Sequence, residues 1–337
     1  MIYPRPIAML DPSRPKGAYR LAGGWCWFDR VDLLERGQPS RIVPARDLPG
    51  DVLDRLTAPR AAFAGLALDR PRITGILNVT PDSFSDGGRY LEPQAALDQG
   101  RSLVAEGADG LDIGGESTRP GAVLVPEDDE IARTAPVIAA LRAGGAGIRI
   151  SIDTRKAVVA AAALDAGADI VNDVAALGHD PQMAGVVARS GAKVILMHAQ
   201  GTPAAMQADP SYPNVLLDVY DFLQEKLGMA VAAGIAREKI VLDPGIGFGK
   251  TVAHNLALIR GLSLFHGLGC PILLGASRKR FIGTISGTDD ASARMPGSLS
   301  VALAGLAQGV QISRVHDVVE SRQAFALWRA VNVGDAA

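Results

Sequence analysis

Cys26 and Cys270 are the only cysteines in 337 residues, too few for a disulfide framework, and they point to a reducing compartment. An excess of either charge is also missing. Lys plus Arg total 34 against 36 for Asp plus Glu, so no global basic field draws in nucleic acid or an anionic membrane, and neither is expected as a partner. Any anion has to be held locally. No uninterrupted apolar run is long enough to span a bilayer. Met1–Arg14 is broken by Pro4, Pro6 and Pro12 and has no apolar core of signal-peptide length, so a cytoplasmic location is expected. The five histidines, His179, His198, His254, His266 and His316, show no H-E-x-x-H or Cys/His spacing, which argues against a dedicated zinc site.

What is present is apolar substance. At 48% hydrophobic residues the chain can bury one barrel-sized core with an appendage, or two cores. Residues 1–70 differ from the rest: they are rich in arginine and proline and carry a Trp25-Cys26-Trp27-Phe28 cluster. Strands are expected near Tyr19–Asp32 and a helix near Asp51–Leu68. This stretch reads as an extension that covers a barrel end, with a partner surface as the other reading. From Arg72 onward, strand-like runs alternate with helical patterns. The runs are Arg72–Leu77, Gly110–Ile113, Ile148–Ile152, Asp169–Val171, Lys193–Met197, Ile240–Leu242, Pro271–Leu274 and Val310–Val315. Between two of them, Asp180-Pro181 reads as an N-cap with proline at the first helical position, closed by Gly191. Eight β-then-α units without a hairpin predict an α/β fold, a (β/α)8 barrel over 71–337, with an open doubly wound sheet as runner-up.

A barrel of this kind concentrates its chemistry at the C-terminal ends of its strands. Those ends carry Asn78, Asp112, Asp153, Asn172 with Asp173, His198, Asp243, Ser277 with Lys279, and Arg314 with His316. An aspartate after a strand commonly caps the next helix, and Asp173 and Asp180 are assigned to that role. Eight successive strand ends bearing polar groups describe a ring around one pocket. His198, ending an apolar strand, fits a satisfied rim histidine as well as a catalytic one.

The run Asp243-Pro244-Gly245-Ile246-Gly247-Phe248-Gly249-Lys250-Thr251 follows a strand and ends G-K-T, as a phosphate-binding loop does. That motif needs glycine five positions before Gly249, where Pro244 stands without an N–H to offer. The alternating glycines instead suit a tight turn beneath a flat ligand faced by Asp243 and Phe248. A second loop, Gly114-Gly115-Glu116-Ser117-Thr118-Arg119-Pro120-Gly121, offers donors for an anion, or is a surface turn. A hard cation arriving with a phosphate needs few protein ligands, and Asn78 could supply one oxygen to Mg²⁺.

Together these stretches resemble dihydropteroate synthase. The residues that carry the resemblance are N-V-T-P-D-S-F-S-D-G-G from Asn78, D-I-G-G-E-S-T-R-P-G from Asp112, S-I-D-T from Ser151, N-D-V from Asn172, M-H-A-Q-G-T-P from Met197, D-P-G-I-G-F-G-K from Asp243, S-R-K from Ser277 and R-V-H-D-V from Arg314. They occur one per strand end and in the family's order, and residues 1–70 are not covered. The resemblance implies that the amine of p-aminobenzoate displaces pyrophosphate from (7,8-dihydropterin-6-yl)methyl diphosphate. It implies a pterin site of Asp112, Asp153, Asn172, Asp243 and Lys279, and a diphosphate site of Asn78, Thr118, Arg119, Arg314 and His316 with Mg²⁺ on Asn78. Phe84, Pro120, Phe248 and Ser277 would hold p-aminobenzoate; Asp153, Lys279, Arg314 and His316 would carry catalysis. It also implies a homodimer and a sulfonamide target.

Two positions depart from the family's pattern. Ala199 stands where members often carry methionine, and Arg280 where some carry serine. Three other functions stay open at this point: a pterin-dependent methyltransferase domain, a non-catalytic pterin-binding paralogue, and a P-loop nucleotidase that would depend on Lys250.

Overall fold

The computed structural model describes residues 1–80, 92–117, 124–145, 147–201 and 206–334. Five short strands come first: β1 (Ile2–Pro6), β2 (Tyr19–Arg20), β3 (Trp27–Phe28), β4 (Arg30–Glu35) and β5 (Arg41–Pro44). β4 pairs antiparallel with both β1 and β5, and β2 pairs with β3. Helix α1 (Gly50–Thr57) follows.

The helix expected over Asp51–Leu68 thus stops at Thr57, because proline stands at position 59 and cannot donate to the helical ladder. Beyond it the chain turns sharply. Phe63 and Leu66 exchange both backbone hydrogen bonds at 2.9 Å around Ala64 (φ 49°) and Gly65 (φ 81°), a tight hairpin turn with two left-handed residues. Phe63, Ala64 and Leu68 then pack into one buried cluster with Ile170, Ile195, Val241, Leu273 and Ile312. Those five are side chains of the barrel strands, so the hairpin stoppers the barrel's N-terminal end.

The barrel itself consists of β6 (Arg72–Asn78), β7 (Gly110–Gly114), β8 (Arg149–Asp153), β9 (Ile170–Asp173), β10 (Lys193–Met197), β11 (Ile240–Asp243), β12 (Leu273–Leu274) and β13 (Ile312–Val315). All pair parallel in chain order, and β13 returns to lie beside β6. The Leu242–Ile272 bridge and a 3.0 Å bond from Leu242 N–H to Pro271 O join β11 to β12 and close the ring. The eight expected strands are all present, and the (β/α)8 barrel holds; the open sheet does not. Connecting the strands are α2 (Glu92–Ala105), α3 (Glu127–Ala143), α4 (Ala157–Asp165), α5 (Met183–Ser190), α6 (Val215–Ala232), α7 (Val252–Arg260), α8 (Arg280–Ser286) and α9 (Met295–Leu306); α10 (Val318–Asn332) ends the fold.

Two strand entries repeat one device. In Gly107-Ala108-Asp109 and Gly167-Ala168-Asp169 the aspartate carboxylate accepts the N–H of the neighbouring strand, Ile73 and Ile150 respectively, each at 2.9 Å. Each also binds an arginine, Asp109 with Arg72 at 3.0 Å and Asp169 with Arg142. Helix α5 starts at Met183 rather than at Pro181. Asp180 serves both helices: its Oδ1 accepts the Gln182 N–H at 2.9 Å just before α5, and its Oδ2 accepts the Ala157 N–H that opens α4, at 2.8 Å. Gly191 closes α5 in the left-handed conformation, as expected.

The N-terminal strands pack on the barrel's flank against the buried 3-10 turn Leu262–Leu268. Ser263 donates to Pro6 O at 2.7 Å, Trp25 Nε1 to Leu306 O at 2.8 Å and Arg60 to His266 O at 2.9 Å. Phe28, Val31 and Leu56 belong to the same apolar core as the barrel's outer layer. Replacing Phe63 with alanine removes a fully packed ring from the barrel stopper. A loss of about 3–5 kcal/mol is expected, and calorimetry should show the unfolding midpoint lowered by roughly 10 °C.

Candidate active site

At the barrel's C-terminal end, the register sets Asn78, Gly114, Asp153 and Asn172 side by side on β6 to β9, with Asp112 two residues lower on β7. Strand pleating turns Asp112, Asp153 and Asn172 inward. From β13, the strand on the other side of β6, Arg314 reaches across. Its Nε donates to Asp112 Oδ2 and its Nη2 to Asp153 Oδ2, the latter at 2.7 Å. Asn172 Nδ2 donates to the same Asp112 oxygen at 3.1 Å. Burial works against the guanidinium's charge, but the two carboxylates hold Arg314 protonated far above the usual range.

Asp112 Oδ1 and Asp153 Oδ1 are buried and have no hydrogen-bond partner among the described residues. A buried acceptor without a donor is costly, so these two oxygens are built for a ligand's N–H groups. Burial raises the Asp153 carboxyl against the pull of Arg314; it raises Asp243 too, opposed chiefly by Lys279.

Asp243 ends β11 and its Oδ1 accepts the Gly245 N–H at 2.7 Å. Lys279 lies across from it, its ammonium on the Ile246 carbonyl and 4.4 Å from the centre of the Phe248 ring. Burial pushes Lys279 down to about 8, although Asp243 favours its charge. Ser277 and His316 form the next part of the rim. The Ser277 hydroxyl accepts the His316 N–H at 3.2 Å and lies 3.0 Å from His316 Nδ1. Between Ser277 and Lys279, Arg278 adopts φ 58° and binds Asp317, which ties this loop to the start of α10. A buried carboxylate pocket, a cation–aromatic shelf and a serine–histidine rim therefore converge. Thr118, Arg119, Pro120 and Phe84 lie outside the described residues.

His198 is a buried, partnered histidine of the rim. Its Nδ1 faces the Lys250 ammonium at 2.8 Å and its ring meets Phe222 edge-on at 4.7 Å. Burial, and then Lys250, hold it down to about 2 and so neutral. Lys250 itself is wound into the loop's own carbonyls, its ammonium donating to Gly245 O at 2.8 Å and Phe248 O at 2.9 Å rather than standing open as in a phosphate-binding loop. Asp173 accepts the Ala175 and Leu177 N–H groups at 2.8 and 2.7 Å, so it caps the turn after β9 rather than the helix it was expected to open, since α5 begins only at Met183.

Residues that the sequence did not flag support the second loop. Glu116 Oε1 accepts the Val125 N–H at 3.1 Å and Oε2 binds Arg155 at 3.1 Å. Lys156 joins Glu130 at 2.5 Å, Glu116 at 3.3 Å and the Val125 carbonyl at 2.7 Å. Residues 116 and 125 are thereby pinned together at the neck of the loop.

For a cation, Asn78 ends β6 half-buried at the mouth, and no group of three His, Cys, Asp or Glu able to hold a metal exists among the described residues. A single amide oxygen fits Mg²⁺, which keeps most of its waters and shares phosphate oxygens.

Residues 74–316 match the family model described as "Pterin binding enzyme". The dihydropteroate synthase of Neisseria meningitidis serogroup C is 46% identical over 271 residues, covering 80% of this chain and 95% of that protein. A Xanthomonas albilineans dihydropteroate synthase solved with 4-aminobenzoic acid superposes with a TM-score of 0.75 at 45% identity, over 80% of this chain and 96% of the other. A structure of the enzyme from that organism with 7,8-dihydropteroate gives 0.72 at 42% identity, over 79% and 95%. With its pterin-suited carboxylates at the mouth of a closed barrel, the chain belongs to the dihydropteroate synthase family of pterin binding enzymes.

Proposed function

We infer that the chain is a dihydropteroate synthase, a transferase of folate biosynthesis that joins (7,8-dihydropterin-6-yl)methyl diphosphate to p-aminobenzoate with loss of pyrophosphate. The observation that carries this is the Asp112–Arg314–Asp153 cluster with its two unpartnered carboxylate oxygens. A pterin edge presents N–H donors in a row, which Asp112, Asp153 and Asp243 would accept. Asn172 would add one amide, and the Lys279 ammonium would donate to the ring carbonyl and nitrogen.

In the reaction the C–O bond to the diphosphate breaks as the C–N bond to the aromatic amine forms, and the amine loses one proton. Positive charge develops on the pterin methylene and spreads into the ring. Fixed carboxylates aimed at that ring stabilise it more than the neutral ground state. Phe248 supports the aromatic amine through its ring face, with Ser277 near the carboxylate end. His316 and the outer edge of Arg314 would meet the departing diphosphate, together with Thr118 and Arg119. Asn78 would hold Mg²⁺ carried in by the diphosphate, where the ion supplies charge neutralisation to the leaving group. Phe84 and Pro120 are proposed as the opposite wall for p-aminobenzoate.

We assign residues 1–70 as an extension to this catalytic unit, since the family match begins only at residue 74. The family resemblance favours a cytoplasmic homodimer, and light scattering on the purified chain tests the stoichiometry. No helix of the described residues is long and apolar enough to cross a membrane.

The deciding experiment supplies the pterin diphosphate and Mg²⁺ with and without p-aminobenzoate. Pyrophosphate release matched one-to-one by dihydropteroate is expected; pterin binding with no product would leave a binding paralogue. Lys279 gives a charged donor, matched to Asp243, only while protonated, so kcat/KM for the pterin should fall about tenfold per pH unit above about pH 8. A profile flat to pH 10 would remove Lys279 from that role. Arg314→Ala strands two buried carboxylates and should cost about 3–5 kcal/mol of stability, so Arg314→Lys, which keeps the charge, is the variant for kinetics. Turnover is expected to drop at least about a hundredfold with the fold retained. Asn78→Ala should raise the Mg²⁺ concentration needed for half-maximal turnover by about tenfold, as read from a magnesium titration.

A further inference from the structure

Lys250 is 3% exposed and sits at the end of the loop that follows β11. No carboxylate lies within ion-pair distance of its ammonium among the described residues. Instead its Nζ is surrounded by the Gly245 carbonyl at 2.8 Å, the Phe248 carbonyl at 2.9 Å and His198 Nδ1 at 2.8 Å, with the His198 carbonyl at 3.4 Å. An ammonium has three N–H donors and meets three close acceptors; a neutral amine would donate twice and accept from the imidazole. Either way the head is satisfied.

The loop is wound around that head. Gly245, at φ 68°, lies so near His198 that a Cβ there would come within 1.8 Å of the His198 carbonyl oxygen. The close approach is possible only for glycine, and it brings the Gly245 carbonyl onto Lys250. The Phe248 N–H bonds the Gly245 carbonyl at 3.2 Å, so both polar groups of Phe248 refer back to one side chain. Asp243 is held differently. Its carbonyl accepts the His198 N–H at 3.0 Å within the β10–β11 pairing, and its carboxylate is fixed by Gly245 N–H. Of the residues assigned to the pterin, Asp112 and Asp153 on β7 and β8 bond to Arg314, whereas Asp243 and Lys279 bond to this loop at the Gly245 N–H and the Ile246 carbonyl.

We propose that Lys250 is a positioning residue for p-aminobenzoate, setting the Phe248 ring that supports the aromatic amine by binding the Gly245 and Phe248 carbonyls and His198 from beneath. It rests on the synthase function proposed above. Lys250 contacts no substrate; it acts through Phe248.

The test uses the full-length chain with Mg²⁺. For Lys250→Met the KM for p-aminobenzoate should rise about tenfold, while the dissociation constant of the pterin diphosphate by calorimetry rises no more than about threefold, because Asp112, Asp153 and Arg314 do not depend on this loop even though Asp243 and Lys279 touch it. Lys250→Gln keeps two N–H donors for the two carbonyls and should recover most of that loss. In a Phe248→Ala background, Lys250→Met should add less than about twofold, because the ring it sets is gone. A purely structural lysine would lower the folded fraction and leave both constants unchanged, with independent effects in the double variant; that pattern overturns the proposal. Failure of both Lys250 variants to fold assigns the residue to stability alone and overturns it as well. Wild-type protein that makes no dihydropteroate refutes the synthase function instead, which separates the two failures.

Discussion

One guanidinium held between two carboxylates sets the shape of the mouth. Arg314 comes from β13, Asp112 from β7 and Asp153 from β8, with Asn172 of β9 bonded to the same Asp112 oxygen. Four strands from opposing walls therefore meet at one buried knot. Burying these charges is tolerable only while each stays paired. That requirement fixes the strand register: sliding any of these strands by one residue would turn its polar side chain out of the barrel. Each aspartate nevertheless keeps one oxygen without a partner, so the knot is saturated on its lower side and open to a donor on the other.

The two loops flanking this knot are steadied by the same kind of part. Lys156 reaches under one and binds the Val125 carbonyl, while Lys250 reaches under the other and binds the Gly245 and Phe248 carbonyls. A lysine can do this because its three donors rotate to match backbone acceptors. The two differ in charge balance. Lys156 is neutralised by Glu130 and Glu116, whereas Lys250 has only dipoles, and burial pushes it well below its ordinary value.

The barrel was legible because a parallel strand buried on both faces is written as an apolar run ending in a polar residue. All eight appear, with ends shifted by a residue or two. The row of polar strand ends was legible for the same reason. What a residue bonds was less so. Asp180 bonds the Gln182 N–H at the entry to α5, as its position suggests, but it also caps α4, a partner 23 positions away in the chain. Ala61 to Leu68 has helical composition, yet the chain there is a hairpin, because the barrel floor offers an apolar socket that outweighs local propensity. Pro244 argued against a phosphate loop at Lys250, but nothing in the pattern pointed to its partners, the Gly245 and Phe248 carbonyls and His198 Nδ1. The Glu116–Lys156–Glu130 group was missed because its members lie on three separate elements.

The Phe63–Leu66 hairpin has a consequence for water. Phe63, Ala64 and Leu68 cover strand side chains at the far end of the barrel, and Ile170, Ile195, Val241, Leu273 and Ile312 stay buried beneath them. A barrel interior is a filled core rather than a pore, so its lower layer needs an apolar cover as much as its flank needs helices. The extension supplies that cover at the foot of the barrel, remote from the polar strand ends, and keeps the base dry.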